Sequence, residues 1–122
     1  MPDDAAAISA VITELDGFAN APMTADQRLS RAQQVLSVAG LSLDDLKQAL
    51  SNHGLPWKQS KAAAFGVTPE QWQEALNVAG VPEVRDVAEL LVALHRAESA
   101  AAMLRSGYRA TRDASGNLAW AR

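Results

Sequence analysis

Thr68-Pro69-Glu70-Gln71-Trp72-Gln73-Glu74-Ala75-Leu76-Asn77-Val78-Ala79-Gly80 outlines a helix from its start signal to its stop. Thr68 and Gln71 have the T-x-x-Q form of a capping box, in which the hydroxyl accepts from a free backbone N–H and the glutamine reaches back. Pro69 takes the first helical position, where its missing N–H costs little. Trp72, Ala75, Leu76 and Ala79 recur at helical spacing and make one apolar stripe. Gly80 supplies the left-handed residue that commonly closes a helix.

The same signals recur in both directions. Ile8, Val11, Ile12 and Leu15 share one face of a first helix, with Asp3 and Asp4 at its start. Gly17 and the run Ala19 to Pro22 end it. Thr24 and Gln27 repeat the capping box before Leu29, Ala32, Val35, Leu36 and Ala39, and Gly40 closes that helix. Ser42 caps a third helix, from Leu43 to about Asn52, with Leu43, Leu46 and Leu50 on one face. Asn52-His53-Gly54-Leu55-Pro56 reads as a stop, and a short helix from about Lys58 to Phe65 follows, ending at Gly66. His53 is expected to favour the helix dipole there. The longest helix is expected from about Glu83 to Ser106, with a heptad-like seam of Val84, Val87, Leu91, Leu94 and Ala101 that Glu98 interrupts. Leu90 and Leu104 widen its apolar side. At more than ~30 Å it is long enough for part of it to project and meet a partner or a second copy. Residues 107–122 change character. Two short runs flank Asp113-Ala114-Ser115-Gly116-Asn117 and predict a β-hairpin in a basic tail.

The expected fold is therefore all-α: a single 1–122 domain, compact, of five or six helices, with a short C-terminal β-hairpin. An internal echo supports a further reading. Leu36 to Leu41 and Leu76 to Val81 lie 40 residues apart, each follows a T-x-x-Q start, and each precedes another helix. They suggest duplicated helical hairpins at 24–54 and 68–106. The alternative is that two helices closed by glycine look alike over six residues.

Composition limits the function classes. The chain has 122 residues, 48% hydrophobic and 20% charged, with a net charge of −3. That balance excludes a disordered chain and a strongly basic nucleic-acid coat. With no cysteine there is no disulfide, thiol nucleophile or thiolate metal site. The opening Met1-Pro2-Asp3-Asp4 lacks the cationic region of a secretory signal, and no run approaches ~18 apolar residues. The expectation is a cytoplasmic protein with no membrane partner. His53 and His95 are not in a metal-spaced pair, Asp44 and Asp45 diverge on a helix, and the glycines are scattered. No enzyme, cofactor or metal is expected.

Lys58 to Asn77 resembles the helix-turn-helix of bacterial and phage repressors. The resemblance rests on small Ala62, the turn glycine Gly66 four residues later, apolar Phe65 and Val67 beside it, and Trp72 and Ala75 where a second helix packs inward. It implies a DNA-binding or transcription-regulating protein, a dimer, with the second helix in the major groove. Its outward residues are Thr68, Gln71, Gln73 and Asn77, and Gln and Asn pair bidentately with adenine. Glu70 and Glu74 share that outward side. The net charge also resolves along the chain: residues 1–45 hold seven acids and two arginines, whereas 96–122 hold five arginines and two acids. Arg105, Arg109 and Arg112, with Lys58 and Lys61, are the candidate phosphate contacts. The alternative is a solvated basic tail paired with the acidic half, on a helical protein–protein interaction module: an adaptor, inhibitor or antirepressor-like protein. A homodimer through the 83–106 helix is compatible with either.

Overall fold

In a computed structural model that describes residues 5–52 and 54–122, most of the start and stop signals act where the sequence puts them, though α1 runs through Gly17. Six α-helices precede a two-stranded hairpin: α1 (Ala5–Ala19), α2 (Ala25–Ala39), α3 (Leu43–Ser51), α4 (Pro56–Phe65), α5 (Pro69–Val78) and α6 (Val87–Arg105), then β1 (Arg109–Arg112) and β2 (Leu118–Ala121). Asp3, Asp4 and His53 lie outside the described residues. Thr24, Ser42 and Thr68 each form a complete capping box with Gln27, Asp45 and Gln71. Gly40 and Gly66 close α2 and α4 in the left-handed conformation, both at φ 69°.

Two boundaries differ from expectation. Pro56 does not only stop α3; it opens α4 as its first residue. The following Trp57 N–H is orphaned by helix geometry, and it donates to the Ser9 hydroxyl of α1 at 3.0 Å. The longest helix starts at Val87 rather than near Glu83, because Val81–Glu83 forms a 3-10 turn and Asp86 caps α6 by accepting from the Glu89 N–H. Val84 thus lies outside the helix.

The core is centred on α6, which packs against α1, α2, α4 and α5. Leu90, Leu91, Ala93, Leu94, Ala97, Ala100, Ala101 and Leu104 are all buried along it. The alanines allow neighbouring helices to approach closely, and the leucines fill the gaps between them. At about 28 Å, α6 lies within the bundle rather than projecting from it. Leu91, Leu94 and Ala101 of the heptad-like seam are buried in the core. Arg28 from α2 closes the C-terminal end of α1, donating to the Phe18 and Ala21 carbonyls at 3.1 and 2.7 Å.

The two echoed segments match locally and diverge in packing. Leu36 and Leu76 are both buried, and Gly40 and Gly80 are both left-handed. However, α5 lies along α6, whereas α2 packs on α1 and α6 rather than on α3. Ala39 and Val38 face solvent.

The hairpin is antiparallel, pairing Arg109 with Ala121 and Arg112 with Leu118. The Asp113 carboxylate organises its loop by accepting from the Ser115 and Asn117 N–H groups, both at 2.9 Å. Those backbone bonds, Asn117 first, hold its carboxyl below the ordinary value. Trp120 packs half-buried against the helical core, so the hairpin has an anchor that an isolated strand pair lacks.

Candidate functional site

Helices α4 and α5 are in contact and meet at a corner around Gly66. Ala62 is buried where the helices meet, and the Gly66 N–H returns to the Ala62 and Ala63 carbonyls. Thr68 then restarts the chain as α5, with Trp72 and Ala75 fully buried. Phe65 stacks on Trp72 at 5.9 Å between centroids, and Trp57 meets the same ring edge-on at 5.6 Å. The Trp72 indole N–H is buried without a hydrogen-bond partner among the described residues, a cost of about 1–3 kcal/mol that the aromatic packing has to offset. Arg105 lies over the turn: a β-carbon on Gly66 would stand 3.3 Å from its Nε.

The charges of this corner are used inside the protein. Lys58 is buried, and its ammonium donates to the Gln73 side-chain oxygen. Burial lowers its pKa to about 8. Lys61 bridges two helices, donating to Asp16 of α1 at 2.5 Å and Glu98 of α6 at 2.7 Å. Burial pulls the Lys61 ammonium down, but its hydrogen bonds to Asp16 and Glu98 more than offset that and leave it raised. Burial raises the Asp16 carboxyl, against the lowering effect of Lys61. The Lys61 ammonium also lies 5.3 Å from the Phe65 ring centroid and 5.8 Å from a Trp72 ring centroid. Lys58 and Lys61, expected at a phosphate surface, are therefore structural. For Lys58 the helical spacing already carried the signal, since positions 58, 62 and 65 stand at i, i+4 and i+7 on one face. Glu98, which interrupts the α6 seam, does so as the partner of Lys61.

The outward side of α5 is mixed. Thr68, Glu70, Glu74 and Asn77 are exposed, whereas Gln71 and Gln73 are half-buried. Thr68 and Gln71 are occupied in the capping box, and Gln73 donates to the Asn77 side-chain oxygen at 3.1 Å. Arg105, Arg109 and Arg112 are exposed and make no ion pair among the described residues. Arg112 donates to the Gly116 carbonyl at 3.3 Å, and Arg122 stacks on Tyr108 at 4.7 Å. The structure thus separates the expected set into an internal pair of lysines, a polar helix face carrying two acids, and a group of exposed arginines.

A second surface was not singled out from sequence. Depressions converge on the outer side of α6, sharing Val92, His95 and Arg96. One, of about 300 Å³, runs between α6 and α2 beside Leu29. Another, of about 440 Å³, runs under the hairpin between Met103, Leu118 and Trp120. Val92 is 49% exposed and Leu118 41%. Their sequence signal was weak, because the inner seam of α6 is more apolar than the outer one.

Among the described residues, no group of three or more His, Asp or Glu converges as a metal site. No helix is long and apolar enough to cross a membrane. No protein-family model matches the chain, and neither a curated protein nor a solved structure matches it.

Proposed function

We propose that this chain is a helical protein–protein interaction module, of the adaptor or inhibitor type, rather than a reader of the DNA major groove. The observation that carries this reading is the fate of the corner charges. A groove-entering helix needs cations towards a phosphate-rich surface. Here Lys58 and Lys61 are bonded to Gln73, Asp16 and Glu98, while Glu70 and Glu74 face outward. Two of the exposed apolar side chains, Val92 and Leu118, border grooves along α6 instead. Its partner is another protein or a second copy of the chain.

DNA binding is the second reading, favoured by one observation: Arg105 lies over the Gly66 turn, and Arg105, Arg109 and Arg112 are exposed without carboxylate partners among the described residues. Fluorescence anisotropy with mixed genomic duplexes at low and moderate salt separates the two. The interaction reading expects no binding even at low salt. Binding that weakens steeply with salt, and falls on replacing Arg109 and Arg112 by Ala, would overturn it in favour of DNA.

A further inference from the structure

The outer side of α6 has a second periodic pattern, distinct from the buried seam. Ala88, Val92, His95 and Ser99 are exposed at spacings of four, three and four. That is the spacing of a helix pairing seam, in which an adjoining row of side chains flanks the contact. The flanking row contains Glu89 and, seven residues on, Arg96. These have opposite signs at equal phase on the helix. Two of the three grooves beside the seam repeat that polarity, with Glu83 and Glu89 towards the start of α6, and Arg96 and Arg112 towards its end.

Opposite charges at the two ends of one face make that face complementary to itself when inverted. We infer that it is the contact between two copies of this chain, related by a two-fold axis that passes near Val92 and His95, with their α6 helices antiparallel. An isologous contact places each residue pair twice. In antiparallel helix pairs, the equivalent flanking rows of the two helices face each other. Glu89 of each copy then faces Arg96 of the other, and Val92 lies against His95 near the axis. A parallel arrangement sets this row against the opposite flank, where Leu91 is buried and Glu98 is bound to Lys61. It satisfies neither charge.

Several observations favour a second copy over an unrelated occupant. The face has both signs in a self-matching order, whereas a purely acidic or basic partner would meet repulsion at one end. Glu89 is already held in place: its carboxylate accepts from the Arg85 N–H at 2.7 Å and lies 3.5 Å from the Arg85 guanidinium. Leu118 on the hairpin borders the same groove and extends the apolar area. Covering Val92 and Leu118 removes the largest apolar side chains exposed on this side of the bundle.

The inference deepens the interaction reading by naming the partner, and its test is independent of DNA. Sedimentation velocity of the full chain, over a concentration range from micromolar to several hundred micromolar, should show a reversible monomer–dimer equilibrium. Glu89→Arg and Arg96→Glu should each weaken the dimer at least tenfold, because each variant opposes like charges twice. An equimolar mixture of the two should recover dimer, since both pairs are complementary again in the mixed species. Recovery also shows that neither variant failed merely by unfolding, and circular dichroism of each alone confirms helix content. A chain that stays monomeric over the whole range would sink the inference, as would a dimer indifferent to both substitutions. A monomer that binds neither DNA nor itself would leave the interaction reading standing with a different protein partner. A dimer that binds DNA would overturn the interaction reading while keeping this interface.

Discussion

Lys58 and Lys61 on α4 and the arginines of the hairpin have the same charge sign, but their surroundings differ. The lysines sit on the inward edge of a helix that is packed on two sides. Their ammonium groups leave bulk water, so each needs an internal acceptor: Gln73 for one, Asp16 and Glu98 for the other. Arg109 and Arg112 sit on a two-stranded hairpin that presents its strands to solvent, where hydration satisfies a guanidinium without a buried counter-charge. The lesson is that charge becomes available for binding only where the fold leaves it hydrated.

The strongest test of this contrast is Lys61→Met. It leaves Asp16 buried beside Glu98 without a counter-charge, and should cost about 3 kcal/mol by denaturant unfolding. Adding Asp16→Asn should recover part of that loss, which a purely steric defect would not show. Lys58→Met should have the opposite sign and stabilise by about 2 kcal/mol below pH 8, because it removes a charge held in a poor environment. The sign follows from linkage. Folding lowers the Lys58 pKa from 10.5 to about 8, so between those values the unfolded chain holds more protons and native stability rises with pH. The advantage of the methionine variant should therefore shrink from pH 8 to 10.5, and unfolding curves that shift in parallel would contradict it. Gly66→Ala should cost about 1 kcal/mol for a left-handed non-glycine residue, with a further contribution from Arg105 being displaced. Replacing both Arg109 and Arg112 by Ala should change stability by no more than ~0.5 kcal/mol. A larger loss in thermal unfolding would mean that the hairpin arginines are structural too, and would erase the contrast.

Much of the fold was legible because its signals are local. Capping boxes at Thr24 and Thr68, Gly40 and Gly66 as left-handed stops, and stripes such as Leu46 and Leu50 each act within one or two turns. The start of α6 was displaced because Pro82 and Asp86 compete with the apolar period. The 3-10 turn and the cap decided in favour of Val87. The left-handed turn at Gly66 and the packing beside it were legible for the same reason, since Ala62, Gly66, Val67 and Trp72 lie within eleven residues. Its chemistry was not. Whether Lys61 points at solvent or at Asp16 and Glu98 depends on partners 45 and 37 residues away.

An all-α chain with a C-terminal hairpin, its caps and most of its helix ends were readable from residue order alone, because those choices rest on backbone bonds made within each segment. Tertiary packing was needed to show that the heptad-like seam of α6 lies in the core, that the two lysines are internal, and that the outer side of α6 and the hairpin arginines are exposed. Burial is a property of how six helices pack together, and a stripe of spacing cannot say which of two faces the other helices will cover.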